Sequence, residues 1–61
     1  MTSNEIYEEM EKHWNEFNEN HSKFVNKGNR AAATRARKAI GEIKKLVTEY
    51  RKESVTESKR S

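Results

Sequence analysis

Arg30, Arg37, Lys44 and Arg51 stand seven residues apart, with Lys38, Lys45 and Lys52 as a second row beside them. Seven residues is nearly two helical turns, so on a helix both rows run down one side. Guanidinium forks and ammonium point charges repeated in this way suit the oxygens of a polyanion. From Arg30 to Lys52 a helix advances about 33 Å, close to one turn of duplex DNA. Thr34, Gly41 and Thr48 lie between the rows, again seven apart. They are small enough to let a phosphate backbone approach, and the threonine hydroxyls can donate to phosphate oxygens. The cations are evenly spread and no Asn or Gln stands among them, which favours phosphate contact without base reading. The plainer reading is a solvated face that keeps the chain soluble.

Gly41 adds to the pattern. Glycine inside a helix costs about 1 kcal/mol relative to alanine. Close approach by a partner would offset that cost, and simple tolerance of an exposed glycine is the alternative.

Other chemistries are poorly supplied. There is no nucleophile–base pair, no carboxylate pair in an apolar setting and no phosphate loop, so no enzyme, cofactor or small-molecule substrate is expected. His13 and His21 are eight residues apart, without the i,i+4 pairing or the cysteines of a zinc site. With Glu9 beside His13 only a weak surface site is conceivable, and no metal is expected. His21 better suits a packed seam, where it could make association depend on pH.

The elements that must position these groups are two helices. Thr2 and Glu5 have capping-box spacing, which starts a first helix at about residue 3. Tyr7, Met10, Trp14, Phe17, His21 and Phe24 then recur at alternating intervals of three and four. That is a heptad seam, and its periodicity favours core packing over a stacking platform for single-stranded bases. Gly28 suits a left-handed helix cap and Asn29 the start of a second helix. The chain therefore reads as helix 3–27, turn 28–29 and helix 30–54, with residues 55–61 frayed.

On the second helix Ala32, Ala36, Ala39, Ile40, Ile43, Leu46, Val47 and Tyr50 form one apolar stripe, and the cation rows lie on the far side. Glu42, Glu49 and Glu53 line one border, with Arg35 among them. Bulky side chains near the turn can pack over small ones, for example Phe24 over Ala32 and Ala36.

The chain has 61 residues and no cysteine. One copy of this size buries little, and without a disulfide the natural supplement is a second copy. Absence of cysteine also suits a reducing cytoplasm. Residues 1–27 carry six acidic and three basic side chains, and residues 28–61 carry four and ten, which gives the halves opposite sign. No apolar run is long enough for a membrane span or a signal peptide. The basic second helix could lie on an anionic membrane, but its apolar face is alanine-rich and the first helix should cover it. The expected fold is all-α: one two-helix antiparallel hairpin, residues 1–61, dimerising into a four-helix bundle. Its dimer core would hold Tyr7, Met10, Trp14, Phe17, His21 and Phe24 with Ile43 and Tyr50.

Gly28-Asn29-Arg30-Ala31-Ala32-Ala33, followed by Arg35 and Arg37 and then Tyr50-Arg51-Lys52-Glu53-Ser54, resembles the chlamydial linker-histone-like family and its short bacterial relatives. That family has a Gly-Asn-Lys-Ala-Ala-type turn and a Tyr-Arg-Lys-Glu-Ser-type helix end at this spacing. The resemblance covers about residues 28–57, and the first helix is similar only in being amphipathic. It implies a small DNA-associated nucleoid protein of the cytoplasm whose helical part self-associates. The chlamydial members condense DNA chiefly through a long Lys/Ala-rich tail, of which this sequence has only Lys59 and Arg60. Any DNA contact is therefore expected from the stripe on the second helix. Arg35 fits the family pattern but sits off the stripe, and is expected to pair with Glu42 or a partner subunit. The expected function is sequence-nonspecific nucleic-acid binding, DNA being favoured over RNA. The alternative is a helical protein–protein interaction module without nucleic acid.

Overall fold

Thr2 opens the first helix in extended conformation. Its hydroxyl accepts the Glu5 backbone N–H at 3.2 Å, and the Glu5 carboxylate accepts the Thr2 backbone N–H at 3.1 Å. This reciprocal cap satisfies two donors that the helix itself leaves free. The bonds to its carboxylate, first from the Thr2 N–H and then from the Thr2 hydroxyl, hold Glu5 below its ordinary pKa. The cap is therefore complete above the usual carboxylate range and is lost as pH falls through the lowered value.

The computed structural model describes residues 1–60, with Ser61 and the Arg60 side chain outside the described set. Helix α1 spans Ser3–Lys27 and helix α2 spans Arg30–Arg60. Gly28 ends α1 in the left-handed region at φ 64° and ψ 26°, and its N–H donates to the Phe24 carbonyl at 2.9 Å. The Asn29 side chain then accepts the Ala32 N–H at 3.2 Å and caps α2. The turn folds the helices into a rod of 48 × 14 × 13 Å.

Helix α2 does not end near Ser54. It continues to Arg60, so the stretch expected to fray is helical as far as the structure describes it. Its last turns are bonded to the other end of the chain. The Ser3 backbone N–H donates to Glu57 Oε2 at 2.7 Å, and the Ser3 hydroxyl donates to Glu57 Oε1 at 2.6 Å. The carboxylate thus sits on the first turn of α1, where the helix dipole favours negative charge.

The core is thin. Among the described residues Ile6, Ala32, Ala36 and Ala39 are buried, and Ile6 is the one large side chain fully enclosed. The α1 residues turned toward α2 are Ser3, Ile6, Met10, His13, Phe17 and Asn20, all buried or half-buried. This line shares Met10 and Phe17 with the aromatic seam but is rotated from it by less than half a residue, about 40°. Phe24, expected over Ala32 and Ala36, lies at the margin of the buried contact. It stays 43% exposed, beside a cleft that it shares with Ala33 and Ala36.

Two stability measurements follow. Gly28→Ala places a β-carbon in the left-handed region, where it meets no neighbour, so the cost is backbone strain of about 1–2 kcal/mol. Urea titration should show that loss, and a smaller one for Gly28→Asn. Glu57→Ala should cost about 1 kcal/mol and speed amide exchange across residues 54–60. Unchanged exchange there would disconnect α2's last turns from Ser3.

Candidate nucleic-acid interface

All seven predicted contact residues, Arg30, Arg37, Lys38, Lys44, Lys45, Arg51 and Lys52, are exposed on α2. Helical geometry turns them away from the buried Ala32, Ala36 and Ala39. The face is largely unpaired by acids. Lys45 is the exception, with Nζ 3.8 Å from Glu42 Oε1, and it remains 78% exposed. An ion pair that open contributes little and yields readily to a phosphate.

Thr34 takes a different part from the one its spacing suggests. Its hydroxyl donates to the Arg30 carbonyl at 3.4 Å and accepts from the Arg37 guanidinium at 3.3 Å. Its proton is thus directed into the helix, and what it offers a ligand is a steadied Arg37. Thr48 borders an open depression with Arg51, Lys52, Val55 and Thr56. That depression reaches into the part of α2 beyond Ser54, where no helix was expected. Gly41 is half-buried, yet a β-carbon placed there meets nothing within 4 Å. Nothing inside the hairpin requires a glycine at this position.

One edge of the hairpin is polar. There His13, Glu16 and Asn20 of α1 face Arg35, Lys38 and Glu42 of α2 across a groove. Arg35 donates to Asn20 Oδ1 at 2.9 Å, so its partner is a cross-helix amide and not Glu42. His13 lies 4.0 Å from Glu9 and 3.9 Å from Glu16, and its Nδ1 is enclosed without a hydrogen bond. Among the described residues no cluster of three or more His, Cys, Asp or Glu could hold a metal.

The opposite edge is apolar and open. Tyr7, Trp14, Phe24, Ile40, Val47 and Tyr50 are 40–55% exposed, while Met10, Phe17 and Ile43 are half-buried. Two clefts run along it, one bordered by Tyr7, Met10, Glu11, Trp14 and Ile43, the other by Phe17, His21, Phe24, Ala33, Ala36, Arg37 and Ile40. Trp14, Phe17 and His21 form a ladder, with ring centroids 5.4 Å and 5.6 Å apart.

A sequence profile of the family described as histone H1-like protein Hc1 matches residues 4–60. The chain belongs to that family. The match takes in α1 as well as α2, so the kinship is wider than the resemblance over residues 28–57. The family consists of histone-like structural proteins and not of enzymes. No curated protein and no solved structure matches the chain. Among the described residues no helix is long and apolar enough to cross a membrane.

The open surroundings of Gly41 predict the effect of filling it. Gly41→Ala should stabilise α2 by about 1 kcal/mol, seen as a higher melting temperature. A lower melting temperature would mean that the glycine is required by packing absent from the isolated hairpin.

Proposed function

We propose that the chain is a sequence-nonspecific DNA-binding, histone-like protein of the nucleoid. It would contact phosphates through Arg30, Arg37, Lys38, Lys44, Lys45, Arg51 and Lys52. The observation that carries this reading is the long exposed cation face on a 31-residue helix in a chain of the histone H1-like family. Lysines and arginines spaced over about 33 Å can neutralise several phosphates at once, and each releases condensed counterions. With no base-reading pattern on the face, affinity would come from charge and fall steeply with salt.

The protein would act as a dimer of hairpins, a four-helix bundle. Its core would hold Tyr7, Met10, Trp14, Phe17, His21, Phe24, Ile43 and Tyr50. The open apolar edge supports this. Fully burying one large apolar side chain is worth roughly 1.5–3 kcal/mol, and one hairpin leaves several of them half in water. No cofactor, metal or small-molecule substrate enters the proposal, and DNA in the cytoplasmic nucleoid is the favoured partner.

The same apolar edge favours a second reading, a helical interaction module that docks another protein and binds no nucleic acid. A gel-shift salt series on random duplex separates the two. Binding is expected at low salt with similar affinity for unrelated sequences. Lys45→Ala with Lys52→Ala should weaken it for every sequence alike. The slope of log affinity against log salt should also flatten, by about 0.9 for each phosphate left without its cation. No shift at micromolar protein in low salt would favour the interaction module, and binding indifferent to these substitutions would sink the stripe.

A further inference from the structure

The open apolar edge has an internal pattern that bears on how a second copy would sit on it. The turn lies at Gly28 and Asn29, so residues equally far from it in sequence lie at the same height on the rod. Phe24 is thus level with Ala33, Phe17 with Ile40, Trp14 with Ile43 and Met10 with Val47. At these four levels α1 gives the bulkier side chain and α2 the smaller, while Tyr7 and Tyr50, level with each other at the far end, are alike. The clefts along this edge follow the same levels, since Trp14 shares one with Ile43 and Phe24 shares the other with Ala33. Charge divides the same way. Glu11 borders the edge on the α1 side and Arg37 on the α2 side, and the halves of the chain are net acidic and net basic.

From this we propose that two hairpins pair through these edges with α1 of each lying over α2 of the other, about a two-fold axis parallel to the helices, and that the dimer bridges two separate polyanions. The inference rests on the reading of α2 as the phosphate-binding face. An axis parallel to the helices preserves height. Phe24 then meets Ala33 of the partner subunit, Phe17 meets Ile40 of the partner subunit, and bulk meets space at the levels from Phe24 to Met10. Glu11 comes level with the stretch between Lys44 of the partner subunit and Val47 of the partner subunit, and an acid faces a cation at the rim. A perpendicular axis does the reverse, setting aromatic row against aromatic row and cation row beside cation row. The whole side of the rod, 48 Å by 14 Å, presents somewhat less flat area than the roughly 800 Å² per partner of a standard interface, so pairing would have to use most of its length.

The arrangement decides what the bundle can bind. With α1 over α2 the two basic helices occupy diagonal corners, and their outer faces look in opposite directions. Arg37, Lys44 and Arg51 then flank the interface, and Lys38, Lys45 and Lys52 point straight out from the bundle. One duplex cannot cover both faces, so each dimer holds two. In the other arrangement the two stripes would merge into one broad surface for a single duplex.

Two measurements on the whole chain test this. The sequence has no cysteine, so Lys27→Cys gives a single spin-label site beside the turn. Turns at the same end put the labels within about 20 Å, two helix spacings. Turns at opposite ends of the rod would put them about 40 Å or more apart, and that distance overturns the pairing. A chain that sediments as a monomer across concentrations overturns it as well. In the second measurement a duplex held on beads is mixed with protein and a labelled free duplex of unrelated sequence. Capture of the free duplex at protein levels that leave the beads unsaturated is the expected result. Gel shift without capture overturns bridging and leaves the stripe standing, whereas loss of both overturns the stripe itself.

Discussion

The close approach of two helices through alanine governs this structure. Ala32, Ala36 and Ala39 present only methyl groups, so α1 can sit near α2, and among the described residues Ile6 is the one large side chain sealed between them. A contact that narrow cannot swallow the aromatics of α1. They are pushed to one side, where α2 presents Ile40 and Val47 half exposed. The same narrowness leaves most of α2's circumference free. One edge of the hairpin becomes polar, one apolar, and the back of α2 carries the cations. Bulkier residues at the alanine positions would part the helices and blur these edges.

The caps matter because the core is so small. Thr2 with Glu5, Gly28, and Asn29 with Ala32 each settle backbone groups that would otherwise need water or a neighbour. The pair of bonds from Ser3 to Glu57 belongs with them, though it joins residues 54 positions apart. It closes the open end of the hairpin opposite the turn. The last turns of α2, which complete the basic depression around Thr48, Arg51 and Lys52, are thereby tied to the start of α1.

Much of this is legible in the residues, and what is not has physical reasons. The two helices, their caps and the cations on one side of α2 follow from local chemistry, because capping boxes, left-handed glycines and seven-residue intervals are short-range signals. Ile6 is hard to see because His13 and Asn20 interrupt the apolar line it begins, and the aromatic line that shares Met10 and Phe17 with it is stronger. The continuation of α2 past Ser54 carries no local apolar pattern, and the bonds from Ser3 that meet it come from the far end of the sequence. Spacing along its own helix matches Arg35 to Glu42, but its guanidinium crosses to Asn20 because the polar edge brings the two helices' side chains together.

The interval of seven has one more consequence. Seven residues fall about 20° short of two full turns of a straight α-helix, so a row on that interval winds slowly leftward around its axis. From Arg30 to Arg51 the drift amounts to about 60°, and a rigid straight helix could not lay the whole row along one line of phosphates. Left-handed supercoiling removes the drift, and it is also what a heptad seam such as Tyr7, Trp14 and His21 imposes when it is buried against another helix. Winding two hairpins together to shelter the aromatics would straighten the cations as well. Assembly and charge alignment would then be one mechanical event, and a lone hairpin would be a poorer ligand for a polyanion than its charge count suggests.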